Sequence, residues 1–169
     1  NLNVLYLMYN NITTYNEKAI WTHPEVVGLS LQNNSMNLDG VVGMHMPSLH
    51  YLDLSDNNMT IRQAFETESF PNLIYLYLNG NDMKVFPSET LRLLEVGIAR
   101  CNLDSLPRYL ASFQYLKYLD ARDNNLMKID DELKSLIKRN DVESYFSGNP
   151  VLCKSDKSVD CEPLCSKTC

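Results

Sequence analysis

At 169 residues, 44% hydrophobic and 21% charged, the chain is long enough to bury one core, and no low-complexity linker divides it. A net charge of −6 and a sequence pI near 5.0, with no lysine and arginine cluster against the trend, disfavour partners held by long-range attraction to polyanions: nucleic acid and anionic membranes. No stretch approaches the ~18 uncharged apolar residues of a membrane-spanning helix, and no basic, apolar leader stands at the start.

In chain order, one nine-residue phrase returns six times: Leu2-Leu5-Leu7-Asn10, Val26-Leu29-Leu31-Asn34, Leu49-Leu52-Leu54-Asn57, Leu73-Leu76-Leu78-Asn81, Leu93-Val96-Ile98-Cys101 and Leu116-Leu119-Ala121-Asn124. Successive phrases are 24, 23, 24, 20 and 23 residues apart, which is the spacing of leucine-rich repeats. The second Leu-x-Leu of each phrase has the period of a short strand, with both leucines on one face. A repeat of about 24 residues cannot bury that face alone, so neighbours stack into a solenoid with a parallel sheet on one side. The asparagine falls where the chain leaves the strand. Its amide both donates and accepts, and a row of such amides satisfies the turn backbone of adjacent coils. Asn10, Asn34 and Asn57 are therefore expected to be buried, and Cys101 is expected as a buried structural thiol.

The segments between phrases are short. Pro47 and Pro71 precede strand phrases, where extended backbone is wanted, and Pro87 and Pro107 stand in return segments. Leu106, Leu110 and Phe113 are spaced for one helical face, and residues 130–138 read as a short helix with Leu133, Leu136 and Ile137 inward. Elsewhere the convex side is expected to be irregular. The chain opens directly in a repeat phrase with no cap over its first coil, so we expect further residues upstream of Asn1.

A seventh, degenerate coil closes the series, with Phe146 in a strand place and Asn149 in the ladder. We expect the solenoid to occupy residues 1–152 and a C-terminal cap residues 153–169. That cap contains Cys153, Cys161, Cys165 and Cys169, separated by 7, 3 and 3 residues of mainly polar sequence. Four cysteines allow two disulfides in three connectivities. A zinc site is the rival, but the pair of closely spaced Cys-x2–4-Cys knuckles with a long separator is missing. Disulfides suit a polar chain end that burial cannot hold, and they place the protein in an oxidising compartment, outside the cell or at its surface. Asn11, Asn33 and Asn58 head N-glycosylation sequons. Chance alone gives about two sequons at this composition, so their positions beside ladder asparagines are more informative than their number.

The phrases, with the ending Tyr145-Phe-Ser-Gly-Asn-Pro-Val-Leu-Cys153 and the run Asp160-Cys161-Glu-Pro-Leu-Cys165-Ser-Lys-Thr-Cys169, look like an extracellular leucine-rich-repeat domain. Together with Cys101-Asn-Leu103 and Tyr118-Leu-Asp-Ala-Arg-Asp-Asn124 they resemble the secreted and membrane-anchored repeat proteins of oomycetes. That resemblance implies recognition of a protein, peptide or glycan by the concave sheet, often as a receptor ectodomain. The tail spacing departs from the caps common in animal and plant repeat proteins, which leaves the partner class open. The other readings are a structural segment of a larger secreted wall or filament assembly, and an inhibitor that wraps a partner enzyme.

Positions flanking the strand leucines face outward from the concave sheet. Six of the ten tyrosines, Tyr6, Tyr51, Tyr75, Tyr77, Tyr118 and Tyr145, fall at such places, and tyrosine is enriched at protein interfaces, although aromatic pairs also stabilise sheets by themselves. Tyr51, Asp53, Tyr75, Tyr77, Tyr118 and Asp120 are the candidate contact residues. His23, His45 and His50 are scattered over different coils, and no nucleophile–base or phosphate-cradling arrangement can be assembled on one face. Asp53 and Asp120 stand three coils apart, roughly 14 Å at the strand spacing, so they cannot share a calcium ion. No catalytic residue, metal ligand or cofactor is expected.

Overall fold

The computed structural model describes residues 3–13, 24–37, 44–65 and 68–150. Seven three-residue strands form one parallel sheet: β1 (Val4–Tyr6), β2 (Gly28–Ser30), β3 (Tyr51–Asp53), β5 (Tyr75–Tyr77), β7 (Glu95–Gly97), β8 (Tyr118–Asp120) and β9 (Glu143–Tyr145). Their order in space is their order in sequence, as stacking of like coils requires. The central residues align as one row, Leu5, Leu29, Leu52, Leu76, Val96, Leu119 and Ser144. The residues before and after them point to the concave side because strand side chains alternate. From Leu29 to Leu119 every member of the row is wholly enclosed, and the row runs into a continuous core with Leu31, Leu54, Leu78, Ile98 and Ala121.

The asparagine ladder holds the turns. Asn57 donates to the carbonyls of Leu31, Leu54 and Ser55 at 3.0, 2.9 and 3.2 Å and accepts from the Met36 amide at 3.0 Å. Asn34, Asn81, Asn124 and Asn149 bond in the same manner. Each amide therefore ties its own coil to the one before it. Asn10 departs from the expectation and is exposed, bonding only the carbonyls of its own coil, Leu7 and Met8. Burial at this position depends on a preceding coil, and among the described residues none covers Asn10.

Cys101 fills its ladder place as a free, fully buried thiol whose sulfur donates to the Leu78 and Ala99 carbonyls. Sulfur does not take over the amide oxygen's acceptor role here: the Met83 N–H goes to the Cys101 backbone carbonyl at 3.0 Å. Burial pushes the thiol from an ordinary 9.0 up to about 11. The folded form thus binds its proton more tightly, and the stability this supplies is present below about pH 9 and lost as pH rises through 11. Iodoacetamide at pH 8 should leave Cys101 unmodified in the native protein and modify it in denaturant, as read by peptide mass mapping. Native labelling at the denatured rate would contradict this burial.

The convex side is mostly irregular. It carries a two-stranded parallel pair, β4 (Thr60–Ile61) with β6 (Asp82–Met83), that the sequence did not announce. A 3-10 helix over Arg108–Ser112 buries Leu110, and helix α1 (Asp131–Ile137) buries Leu133 and Leu136. The Asp130 carboxylate caps α1 by accepting from the Leu133 amide at 3.0 Å. Ile137 is only partly buried. The cap cysteines at 153, 161, 165 and 169 lie outside the described residues.

Candidate functional site: the concave tyrosine face

On β3 and β5 the alternation brings Tyr51, Asp53, Tyr75 and Tyr77 to one patch. Tyr51 and Tyr75 are register partners, as are Asp53 and Tyr77. The Tyr51 ring lies 5.6 Å from that of Tyr77 and 6.5 Å from that of Tyr75, both tilted, so the three rings form one half-exposed cluster. Asp53 accepts from the Ser55 amide at 2.9 Å and, more distantly, from the Tyr51 hydroxyl at 3.4 Å. Glu95 on β7 receives the Tyr77 hydroxyl. Burial first, then the charge of Asp53, raises the Tyr51 phenol to about 12; burial and the bond to Glu95 raise that of Tyr77 further. Both phenols stay protonated donors at any physiological pH.

Glycine at position 97 makes this arrangement possible. Gly97 is the register partner of Tyr77, and a Cβ there would sit 2.7 Å from the Tyr77 ring and 2.9 Å from the Asn79 side chain. The bare backbone lets the Tyr77 ring lie across β7 and place its hydroxyl on Glu95. Asn79 bridges the patch to the turns, donating to Ser55 Oγ at 3.3 Å and accepting from the Ala99 amide at 2.8 Å. Ser55 and Ala99 are consequently buried, although the alternation alone would present them outward.

Tyr118 and Asp120 form a separate group on β8. Asp120 is only 6% exposed, because Arg122 covers it. The guanidinium grips the carboxylate through Nε to Oδ1 at 2.9 Å and a terminal nitrogen to Oδ2 at 2.7 Å, and stands 5.6 Å over the Tyr145 ring. The candidate residues therefore resolve into two patches: an open one around Tyr51 and Tyr77, and a closed one around Tyr118 and Tyr145. Glu95 and Arg122 belong to these patches as fully as the six predicted residues; strand register points to Glu95, and the Asp-x-Arg spacing points to Arg122.

Other features fall elsewhere. His50 opens on a cavity of about 450 Å³ where the chain enters the strands, with Pro71, Leu73, Ile74, Arg92 and Tyr115 around it. Neither a carboxylate nor a hydroxyl of Ser or Thr lines it. Of the sequon asparagines, Asn11 and Asn58 are exposed and Asn33 is partly covered. Among the described residues no helix is long and apolar enough to cross a membrane.

This geometry and the repeated phrase define a leucine-rich-repeat solenoid. The Leucine Rich Repeat family model matches residues 48–67, the coil that carries β3. The chain is 29% identical over 101 residues to Receptor like protein 22 of Arabidopsis thaliana, covering 59% of this chain and 10% of that protein. It is 32% identical over 108 residues to Transforming growth factor beta activator LRRC33 of Danio rerio, covering 63% of this chain and 16% of that one. The chain thus spans a small fraction of either relative's length. The crystal structure of a pollen receptor kinase 3 superposes with a TM-score of 0.66 at 22% identity, over 94% of this chain and 79% of that one, a likeness of fold.

Proposed function

We propose that this chain is the non-enzymatic recognition domain of a secreted or cell-surface protein, and that it binds a protein or peptide partner through its concave face. The observation that carries this reading is the open cluster of Tyr51, Tyr75 and Tyr77, with Asp53 and Glu95 beside it. Large, stiff, amphipathic rings set on a rigid sheet lose little freedom on binding, and such groups dominate interface energetics. The receptor-like and growth-factor-activating relatives support a role in recognition. An extracellular setting also fits the four cysteines at 153, 161, 165 and 169, the sequons at Asn11, Asn33 and Asn58, and the resemblance to oomycete secreted and membrane-anchored proteins.

The test begins with a partner captured by cross-linking to the intact protein and identified by mass spectrometry. The double change Tyr51→Ala with Tyr77→Ala should then weaken its binding by roughly thirtyfold or more, the effect of losing at least one interface hot spot. The thermal midpoint should fall by no more than a few degrees, since both rings are half-exposed. If binding instead tracks the folded fraction across variants, the tyrosines serve the sheet and this assignment fails.

A further inference from the structure

The two tyrosine patches are copies of one arrangement. In each, a tyrosine opens the strand (Tyr51, Tyr118) and an aspartate closes it (Asp53, Asp120). The register partner of that aspartate is a tyrosine on the next strand, Tyr77 in one copy and Tyr145 in the other. The ring pairs agree closely: 5.6 Å and 49° for Tyr51–Tyr77, 5.5 Å and 48° for Tyr118–Tyr145. The aspartates also accept from the same backbone amide two residues on, at 2.9 Å from Ser55 and 3.2 Å from Arg122.

At the aspartate the copies differ in the side chain two residues on. Two residues after Asp120 stands Arg122, whose guanidinium fills the space between carboxylate and ring. Two residues after Asp53 stands Ser55, too short to do so and held by Asn79. Among the described residues no lysine or arginine forms an ion pair with Asp53 or Glu95. One oxygen of Asp53 thus has only the long 3.4 Å contact to the Tyr51 hydroxyl, against a charge-assisted 2.7 Å bond at the equivalent oxygen of Asp120. The filled copy shows which chemistry completes the motif. A guanidinium suits it better than an ammonium, because the fork engages both carboxylate oxygens while its plane faces the ring.

We infer that the Tyr51–Asp53–Tyr77–Glu95 patch is a receiving site for an arginine side chain of the partner polypeptide, occupied in the way Arg122 occupies its own copy. This rests on the concave-face reading above and names the group that face selects. Glu95, which receives the Tyr77 hydroxyl, supplies a second negative charge, as Glu143 does for the Tyr145 hydroxyl at 3.4 Å in the filled copy, and the chain's net charge of −6 favours approach of a basic segment.

The probe is acetyl-Gly-Arg-Gly-amide, with citrulline and lysine versions as controls, titrated into the whole protein and followed by NMR shifts of the concave tyrosines. The arginine peptide should shift Tyr51 and Tyr77 at one site, weaken with salt, and outcompete both controls. Asp53→Asn should lower its affinity roughly tenfold to a hundredfold, the loss of a hydrogen bond to a charged group. Ser55→Arg should fill the site from within and abolish the shifts. Arg122→Ser should open the second copy, so that Tyr118 and Tyr145 shift as well; this arm decides the matter if Ser55→Arg fails to fold. Equal shifts with citrulline, indifference to Asp53→Asn, or no second site in Arg122→Ser would each overturn the inference. A captured partner that is sensitive to the tyrosine changes but indifferent to Asp53→Asn would leave the concave face as the interface and remove only the arginine. A partner indifferent to both would remove the concave face itself.

Discussion

Asn57→Ala should cost about 3–5 kcal/mol of stability, read from urea unfolding followed by circular dichroism. The side chain is 3% exposed and satisfies four backbone groups, three carbonyls and the Met36 amide. Alanine removes every one of those partners, and the turn is too enclosed for water to replace them freely; each buried polar group left unmet costs about 1–3 kcal/mol. Against a total stability of about 5–15 kcal/mol for an ordinary domain, such a loss is severe. Asn10→Ala supplies the contrast. That residue is exposed and touches only two carbonyls of its own coil, so its loss should fall below about 1 kcal/mol. Equal costs at the two positions would mean that the ladder does not join coils in the way its geometry implies.

The difference between Asn10 and Asn57 also marks what the sequence could and could not disclose. The strand leucines, the ladder and both convex helices were legible, because each depends on spacing within one repeat. Burial of a ladder asparagine depends on the coil before it, and the residue itself carries no sign of that neighbour. The β4–β6 pair was hidden for a similar reason: two residues are too few for a period, and the pairing exists only because Thr60–Ile61 and Asp82–Met83 are brought side by side by stacking. Gly97 reads as one more outward position until register sets Tyr77 opposite it. Asp120 likewise reads as a contact residue, yet its own Arg122 closes over it. Outward direction is a property of one strand. Accessibility is a property of two coils and whatever long side chains they carry.

The second severe change should be Leu76→Ala, at about 3–5 kcal/mol, with Leu5→Ala held to about 1–2 kcal/mol. Leu76 is wholly buried in the middle of the inward row, between Leu52 on one side and Val96 on the other. Truncation leaves a void that both flanking coils border, and a rigid parallel sheet with tight turns has little room to collapse around it. Leu5 has a neighbour in Leu29 on one side only among the described residues and is already partly exposed, so less is lost there. The two changes should also differ in kind. In a stack where each coil contacts only its neighbours, weakening a central interface loosens the coupling between the halves, whereas weakening an end frays one coil. Leu76→Ala should therefore broaden the urea transition as well as lower its midpoint, while Leu5→Ala lowers the midpoint slightly and keeps the slope. Equal losses with unchanged slopes would indicate a core that shares strain globally, contrary to the nearest-neighbour packing of the inward row.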